Sequence, residues 1–418
     1  MNTSIKILPW ILLICVCSIS TNAQEESFTL TSPETVGLST DSLMKMNAHF
    51  HRLVDEQQLA GIQTAIIRDG KLVHYDSYGY SNIQEEKKLN EKSIFRIFSM
   101  TKPVVSLALM KLFEEKKFAL EDPLYIYLPE FKDMKVYKDS VLVEAKKPIR
   151  IIDLLRHTSG FSYGRGPHTE LNQMYADADL NASKTNKEFV SKLSKLPLSF
   201  EPGTDWQYGL STNICGYLIE VLSGEPLDVY LNENILIPLE MTDTHFQLPS
   251  EKIERFTVGY GWQAETGSMV VTEEQRSNRF IDTVTLFNGG GGLVSTTLDY
   301  LKFCKMLLNK GAIDKDRRIV KEETVELMLQ DHLQEVRKYQ ERFRLPYGEY
   351  GFGLGFAIRG NNENELEKVY GWGGAVGTYF KIDTAHNMAY VLMIQLSPYR
   401  QLGLRQLFQN YVESSLIK

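Results

Sequence analysis

Apolar positions recur at helical spacing over residues 39–57, where Leu43, Met46, Phe50 and Leu53 share one face. The spacing predicts an amphipathic helix. Two shorter runs follow, 62–67 and 72–78, on either side of Asp69-Gly70. That dipeptide suits a two-residue hairpin turn, because both central positions need positive φ. Over 101–116 the pattern changes. From Val104 to Leu112 the segment is apolar on nearly every side, which places a helix inside the molecule. Helices are also predicted over 213–222 and 298–308, the latter with Thr296 near its start and Gly311 past its end. Runs at 352–358, 374–382 and 389–396 read as strands, and 401–417 as a closing amphipathic helix. The stretch from 149 to about 256 reads as mainly helical and irregular. Within it, 164–187 holds few large apolar residues and reads as a long surface excursion.

Strands therefore sit at both ends and helices in the middle. This predicts an α+β fold with one antiparallel sheet built from about 24–90 and 285–418. Helices from the two ends would flank it, and a mainly helical subdomain over about 91–284 would be inserted. The functional cleft is expected between the two regions.

The first residues have a different pattern. Lys6 is the only charged side chain before an apolar run at 7–17, and small and polar residues end at Ala23. This is the layout of a secretory signal peptide over 1–23, leaving 24–418 as the mature chain. The protein is expected to be exported: periplasmic in a Gram-negative cell, otherwise secreted. No stable membrane insertion should remain after cleavage. Cleavage also removes Cys15 and Cys17. Cys215 and Cys304 then remain, each in an apolar helical pattern that suggests a buried thiol.

Composition narrows the function class. The 418 residues are 43% hydrophobic and 24% charged, which fits an ordinary globular protein. A net charge of −7 argues against a nucleic-acid partner. The eight histidines show no metal-ligand spacing, and Gly289 to Gly292 lacks the Gly-Lys-Ser/Thr ending of a phosphate loop. No metal or cofactor is implied. The glycines read as a tight loop near the cleft. The charged run 363–368 reads as a solvated hairpin tip.

Ser99-Met100-Thr101-Lys102 opens the buried helix. Residues i and i+3 share a helix face, so the lysine amine can reach the serine hydroxyl. A desolvated lysine can have a depressed pKa and accept the serine proton. Ser42 to Lys45 and Ser415 to Lys418 match the same spacing, but the first lies in an exposed helix and the second at the chain end. A nucleophile elbow fails at 209–213, where Asn213 stands in place of the second glycine. His157 reads as a structural histidine in a turn.

In this setting the chain resembles the serine β-lactamase-related family of class C β-lactamases, DD-peptidases and family VIII carboxylesterases. Besides Ser99, Lys102 and Pro103, the resemblance rests on 153–160 (DLLRHTSG), 201–204 (EPGT), 238–243 (PLEMTD) and 291–296 (GGLVST). It implies Tyr208 as general base and acid, with its phenol acidified by Lys102. It also implies the N–H groups of Ser99 and Ala375 as an oxyanion hole. The family's Tyr-x-Asn motif falls on Tyr208-Gly209-Leu210, and its Lys-Thr-Gly motif on Trp372-Gly373-Gly374. Leu210, Trp372, Gly373 and Gly374 are thus the expected substrate-binding positions, the glycines allowing close approach of a substrate. Leu210 cannot hydrogen-bond an acyl amide, and Trp372 cannot pair with a carboxylate. The resemblance then implies an acyl-enzyme hydrolase of carboxylic esters. Two alternatives stand beside it: a β-lactamase or DD-peptidase acting on β-lactams or peptides, and a catalytically silent binding protein.

Overall fold

A computed structural model describes residues 28–263, 265–274, 278–337, 349–360 and 366–417. The expected leader at 1–23 and half of the expected tip at 363–368 lie outside these residues. Among the described residues no helix is long and apolar enough to cross a membrane.

Gly61–Arg68 (β1) and Lys71–Asn82 (β2) pair through the turn at Asp69-Gly70, where both residues have positive φ. Lys87–Lys88 (β3), Glu349–Phe352 (β4), Ala357–Gly360 (β5), Leu366–Gly373 (β6), Tyr379–Asp383 (β7) and Met388–Met393 (β8) complete one sheet. Its order is β4-β5-β6-β7-β8-β1-β2-β3, antiparallel throughout. The two ends of the chain meet at its centre, where Gln63 lies opposite Met393.

Helices cover both faces. Thr40–Asp55 (α1), capped by the Ser39 hydroxyl, packs on one face with Leu404–Ser414 (α5). Thr297–Leu308 (α4), capped by Thr296, packs on the other. Thr101–Glu114 (α2) and Ser211–Ser223 (α3) lie against each other beyond it. Alternate residues of one strand feed the two cores. Ala389, Val391 and Met393 enter the α2 side, while Met388, Tyr390 and Leu392 enter the α1 side. A sheet buried on both faces needs no polar alternation, which explains the continuous apolar run there. Each fully buried leucine or valine in α2 contributes roughly 1.5–3 kcal/mol. Cys215 and Cys304 are both buried free thiols.

Several segments differ from the expectation. The strand expected over 352–358 is broken: Phe352 ends β4, Ala357 begins β5, and residues 353–356 turn between them, where Gly353 and Gly355 bend the chain. Gly355 has φ +97°, and a Cβ there would meet the Ser106 side chain of α2. Residues 374–378 are a loop, and β7 begins only at Tyr379. The polar stretch 164–187 holds a helix, Thr169–Asp177, that buries Leu171 and Tyr175. The helical region also contains two hairpins, Lys135–Lys138 with Val141–Glu144 and Gly259–Gln263 with Ser268–Glu273.

Candidate active site

Ser99 sits on a single turn, Phe98–Met100, that runs into α2. The strand before it, Phe95–Arg96, is pinned by Arg96, whose buried guanidinium donates to the carbonyls of Thr257 (2.6 Å) and Glu274 (2.8 Å) and pairs with Glu273. Phe98 has φ +43°. A left-handed phenylalanine costs of order 1–3 kcal/mol and persists only where its surroundings hold it. The chain is thus bent sharply just before the serine, which stays half-buried at the head of the helix.

Lys102, one turn on, is 2% exposed. Its Nζ lies 3.5 Å from Ser99 Oγ, 2.9 Å from the Tyr163 hydroxyl and 2.6 Å from the Gly290 carbonyl. Three acceptors match the three donors of an ammonium group, whereas a neutral amine has only two N–H bonds. Burial alone pushes the Lys102 pKa down, but the hydroxyls of Tyr163 and Tyr208 outweigh it and the net shift is upward. The expectation of a depressed lysine is therefore corrected: Lys102 rests as a cation. Its charge also acts on Tyr163, where burial pushes the phenol pKa up and Lys102 offsets only part of the rise.

Tyr208 stands beside this group. Lys102 Nζ is 4.6 Å from its ring centroid, and the Tyr163 ring 5.5 Å. Its hydroxyl accepts a hydrogen bond from Trp372 Nε1 at 3.1 Å. Behind it the His157 ring lies 5.0 Å away, in a left-handed residue with φ +59°. Burial and then the Lys102 charge hold the His157 pKa well below its ordinary value, so it is a neutral aromatic wall. Asp153 fixes that turn. It is fully buried and accepts from Arg150, Arg156 and Thr158.

The glycine loop reaches the same centre. Gly290 gives its carbonyl to Lys102, and its N–H donates to Asn288 Oδ1 (2.9 Å), which also accepts from Asn213 Nδ2 (2.9 Å). Leu293 N–H donates to Thr101 Oγ1.

The structure thus brings Ser99, Lys102, Tyr208 and Trp372 to one cleft. Leu210 is elsewhere: it caps α3 and is buried in the core, 8% exposed, so it offers no substrate surface. Gly373 and Gly374 serve the protein's own packing. A Cβ at Gly373 would fall on the Arg405 guanidinium, and one at Gly374 on the Ile97 carbonyl and the Thr378 hydroxyl. Ala375 is exposed at the turn that follows, and its N–H has no acceptor among the described residues. Two participants escaped the sequence reading. Tyr163 belongs to no motif and lies between the 153–160 stretch and the polar stretch 164–187. Asn213 was read only as a missing glycine. A cavity of about 220 Å³ is lined by Ser162, Leu171, Phe200, Trp206 and Gln207 among others, so its wall includes the residues that precede Tyr163 and Tyr208 in the chain.

Comparison with known proteins agrees with this architecture. A family profile described as Beta-lactamase matches residues 46–407. The chain is 31% identical to Esterase EstB of Burkholderia gladioli over 54% of this chain and 57% of that one. It is 24% identical to a putative D-alanyl-D-alanine carboxypeptidase of Escherichia coli (strain K12), over 96% of this chain and 93% of that one. The solved structure of EstCE1, a hydrolase with promiscuous acyltransferase activity, superposes with a TM-score of 0.75 at 23% identity, covering 90% of this chain and 99% of that one.

Proposed function

The chain belongs to the beta-lactamase family, and on that premise we propose a serine hydrolase that cleaves carboxylic esters through an acyl-enzyme. The hydrogen bond from Trp372 to Tyr208 carries the ester reading. It puts an aromatic face and one N–H donor, already engaged, where related hydrolases carry a lysine for a substrate carboxylate. The wall continues with Phe352, 5.6 Å from Trp372. An apolar ester meets no desolvated charge there, whereas a carboxylate would be buried without its partner. The likeness to EstB points the same way.

In the reaction, Ser99 Oγ bonds to the ester carbonyl carbon and gives its proton to the oxygen of Tyr208 acting as a phenolate, whose negative charge the Lys102 ammonium pairs with before the transfer. The oxyanion lies against the N–H groups of Ser99 and Ala375. The carbon–oxygen bond to the alcohol breaks, and the alcohol takes the proton from Tyr208. Water then reverses these steps on the acyl-enzyme.

The comparison that tests this is p-nitrophenyl butyrate against a chromogenic cephalosporin and a D-alanyl-D-alanine peptide. Ester turnover should exceed the others in kcat/KM by about a hundredfold, the reach of one lost charge contact of a few kcal/mol. The reverse order overturns the ester reading. Failure of a fluorophosphonate to label Ser99 in folded protein overturns the enzyme.

One observation favours a second reading. The Arg279 guanidinium lies 5.2 Å from the ring of Phe98, the neighbour of Ser99, and could meet the carboxylate of a β-lactam or peptide. Peptide turnover that collapses in Arg279→Gln would support it. We also propose that residues 1–23 direct export and are then removed. N-terminal sequencing of the cell-envelope and secreted fractions tests this, and a mature chain still beginning at Met1 in the cytosol overturns it.

A further inference from the structure

The loop after β6 is held from behind by a residue of the last helix. Arg405 is the second residue of α5, which packs on the sheet face away from the nucleophile's helix. Its guanidinium lies 4.4 Å from the Tyr399 ring centroid and 5.4 Å from that of Tyr379. It can lie flat against the strand end because residue 373 is glycine. One nitrogen, Nη2, donates to two carbonyls of the loop, Gly374 at 2.6 Å and Thr378 at 2.9 Å. The same carbonyls accept the loop's internal bonds, from Gly377 N–H at 3.2 Å and Gly374 N–H at 2.8 Å. Arg405 thus joins both ends of one five-residue loop.

The consequence follows from peptide geometry. The Gly374–Ala375 bond is trans, so the carbonyl of Gly374 and the N–H of Ala375 point in opposite directions. Arg405 holds the carbonyl on its own side and turns the N–H away from itself. A Cβ at Gly374 would meet the carbonyl of Ile97, so the loop packs against the chain two residues before Ser99. A cation on a peptide carbonyl also polarises the peptide and strengthens its N–H as a donor.

We propose that Arg405 is a positioning residue for the oxyanion hole: it sets the Gly374–Ala375 peptide plane and charges the Ala375 N–H from behind. This rests on the reading of Ala375 as an oxyanion donor. Arg405 touches no reacting atom. Its effect therefore belongs to the transition state, where the oxyanion forms, and not to ester binding.

The test uses the full-length protein with Arg405→Met and Arg405→Lys. In Arg405→Met, kcat for p-nitrophenyl butyrate should fall about 10- to 100-fold, less than the loss of a whole oxyanion donor, with KM within about threefold. The Ki of butylboronic acid, whose tetrahedral adduct occupies the oxyanion hole, should rise in parallel. Added guanidinium ion, at concentrations that leave the melting temperature unchanged, should restore part of kcat. Arg405→Lys keeps the charge without the planar fork, and should lie between Arg405→Met and the wild type. It carries the same comparison if Arg405→Met does not fold. Wild-type kcat in the variants overturns the proposal. So does a loss in which kcat falls, boronate affinity stays and guanidinium has no effect, since that marks mere packing. Fluorophosphonate labelling separates the two readings. Wild-type protein that labels at Ser99 but spares esters defeats the ester assignment alone. An Arg405→Met variant that labels at the wild-type rate defeats the Arg405 assignment alone.

Discussion

The Lys102 ammonium nitrogen is 2.9 Å from the Tyr163 hydroxyl, closer than its 3.5 Å to the Ser99 oxygen. The lysine is therefore anchored by a second tyrosine that no linear motif marks. Tyr163→Phe leaves Lys102 one acceptor short and should lower kcat/KM by about 10- to 100-fold. Tyr208→Phe removes the proton carrier and should cost about two to four orders of magnitude. Steady-state kinetics on one ester checks both. Equal and small losses would remove Tyr208 from the role assigned to it.

Trp372 offers a specificity test. Trp372→Phe keeps the aromatic wall but drops the N–H that holds Tyr208. Ester kcat should fall about fivefold, the value of one hydrogen bond of about 1 kcal/mol. Trp372→Lys places a cation in the cleft, where it should depress ester turnover further and raise the affinity for carboxylate-bearing ligands. The ratio of kcat/KM for p-nitrophenyl butyrate and a cephalosporin reads the shift. An unchanged ratio in Trp372→Lys would detach this position from substrate choice.

Asp153 governs stability more than chemistry. Its two oxygens receive bonds from both Arg150 and Arg156, and an asparagine would leave these cations inadequately paired. Asp153→Asn should destabilise the fold by about 3–5 kcal/mol, the usual effect of breaking a buried ion pair. Urea denaturation should show a lower midpoint with an unchanged slope.

Acid should weaken the fold through buried histidines. Burial holds the His74 pKa down at about 4 against an ordinary 6.5, and its ring bonds Thr64 Oγ1. Above pH 6.5 neither the folded nor the unfolded state carries this proton. As pH falls from 6.5 towards 4, only the unfolded chain takes it up, so stability falls by up to about 1.4 kcal/mol per pH unit. His157 acts in the same direction. Urea midpoints at pH 7 and pH 5 should differ less in His74→Gln than in the wild type. Identical differences would remove His74 as a source.

What the sequence shows and hides follows the range of each interaction. Ser99 and Lys102 are three residues apart on one helix, so local spacing alone pairs them. Asp69-Gly70 dictates its turn from its own φ preferences. Tyr163 meets Lys102 only because Asp153, His157 and Gly160 fold the intervening chain back, and that knot leaves no periodic trace. Leu210 was assigned by counting from Tyr208, but the start of α3 turns it into the core and presents Asn213 to Asn288 one turn later. β6 was missed because Glu367 and Lys368 break its apolar pattern, while its pairing with β5 and β7 is long-range. The glycines of the 372–374 motif were legible as places of close approach. Their neighbours, Arg405 and Ile97, were not.

The order of the strands also governs when the molecule can fold. The centre of the sheet joins β1, near the beginning, to β8, near the end, through pairs such as Arg68 with Met388. On the ribosome, β1 and β2 emerge early and wait as a hairpin with one apolar edge unpaired until Met388–Met393 has been made. Such non-local closure is slow, and the waiting edge is open to association with other chains. A chain ending before β8 should accumulate as aggregate even with every catalytic residue present.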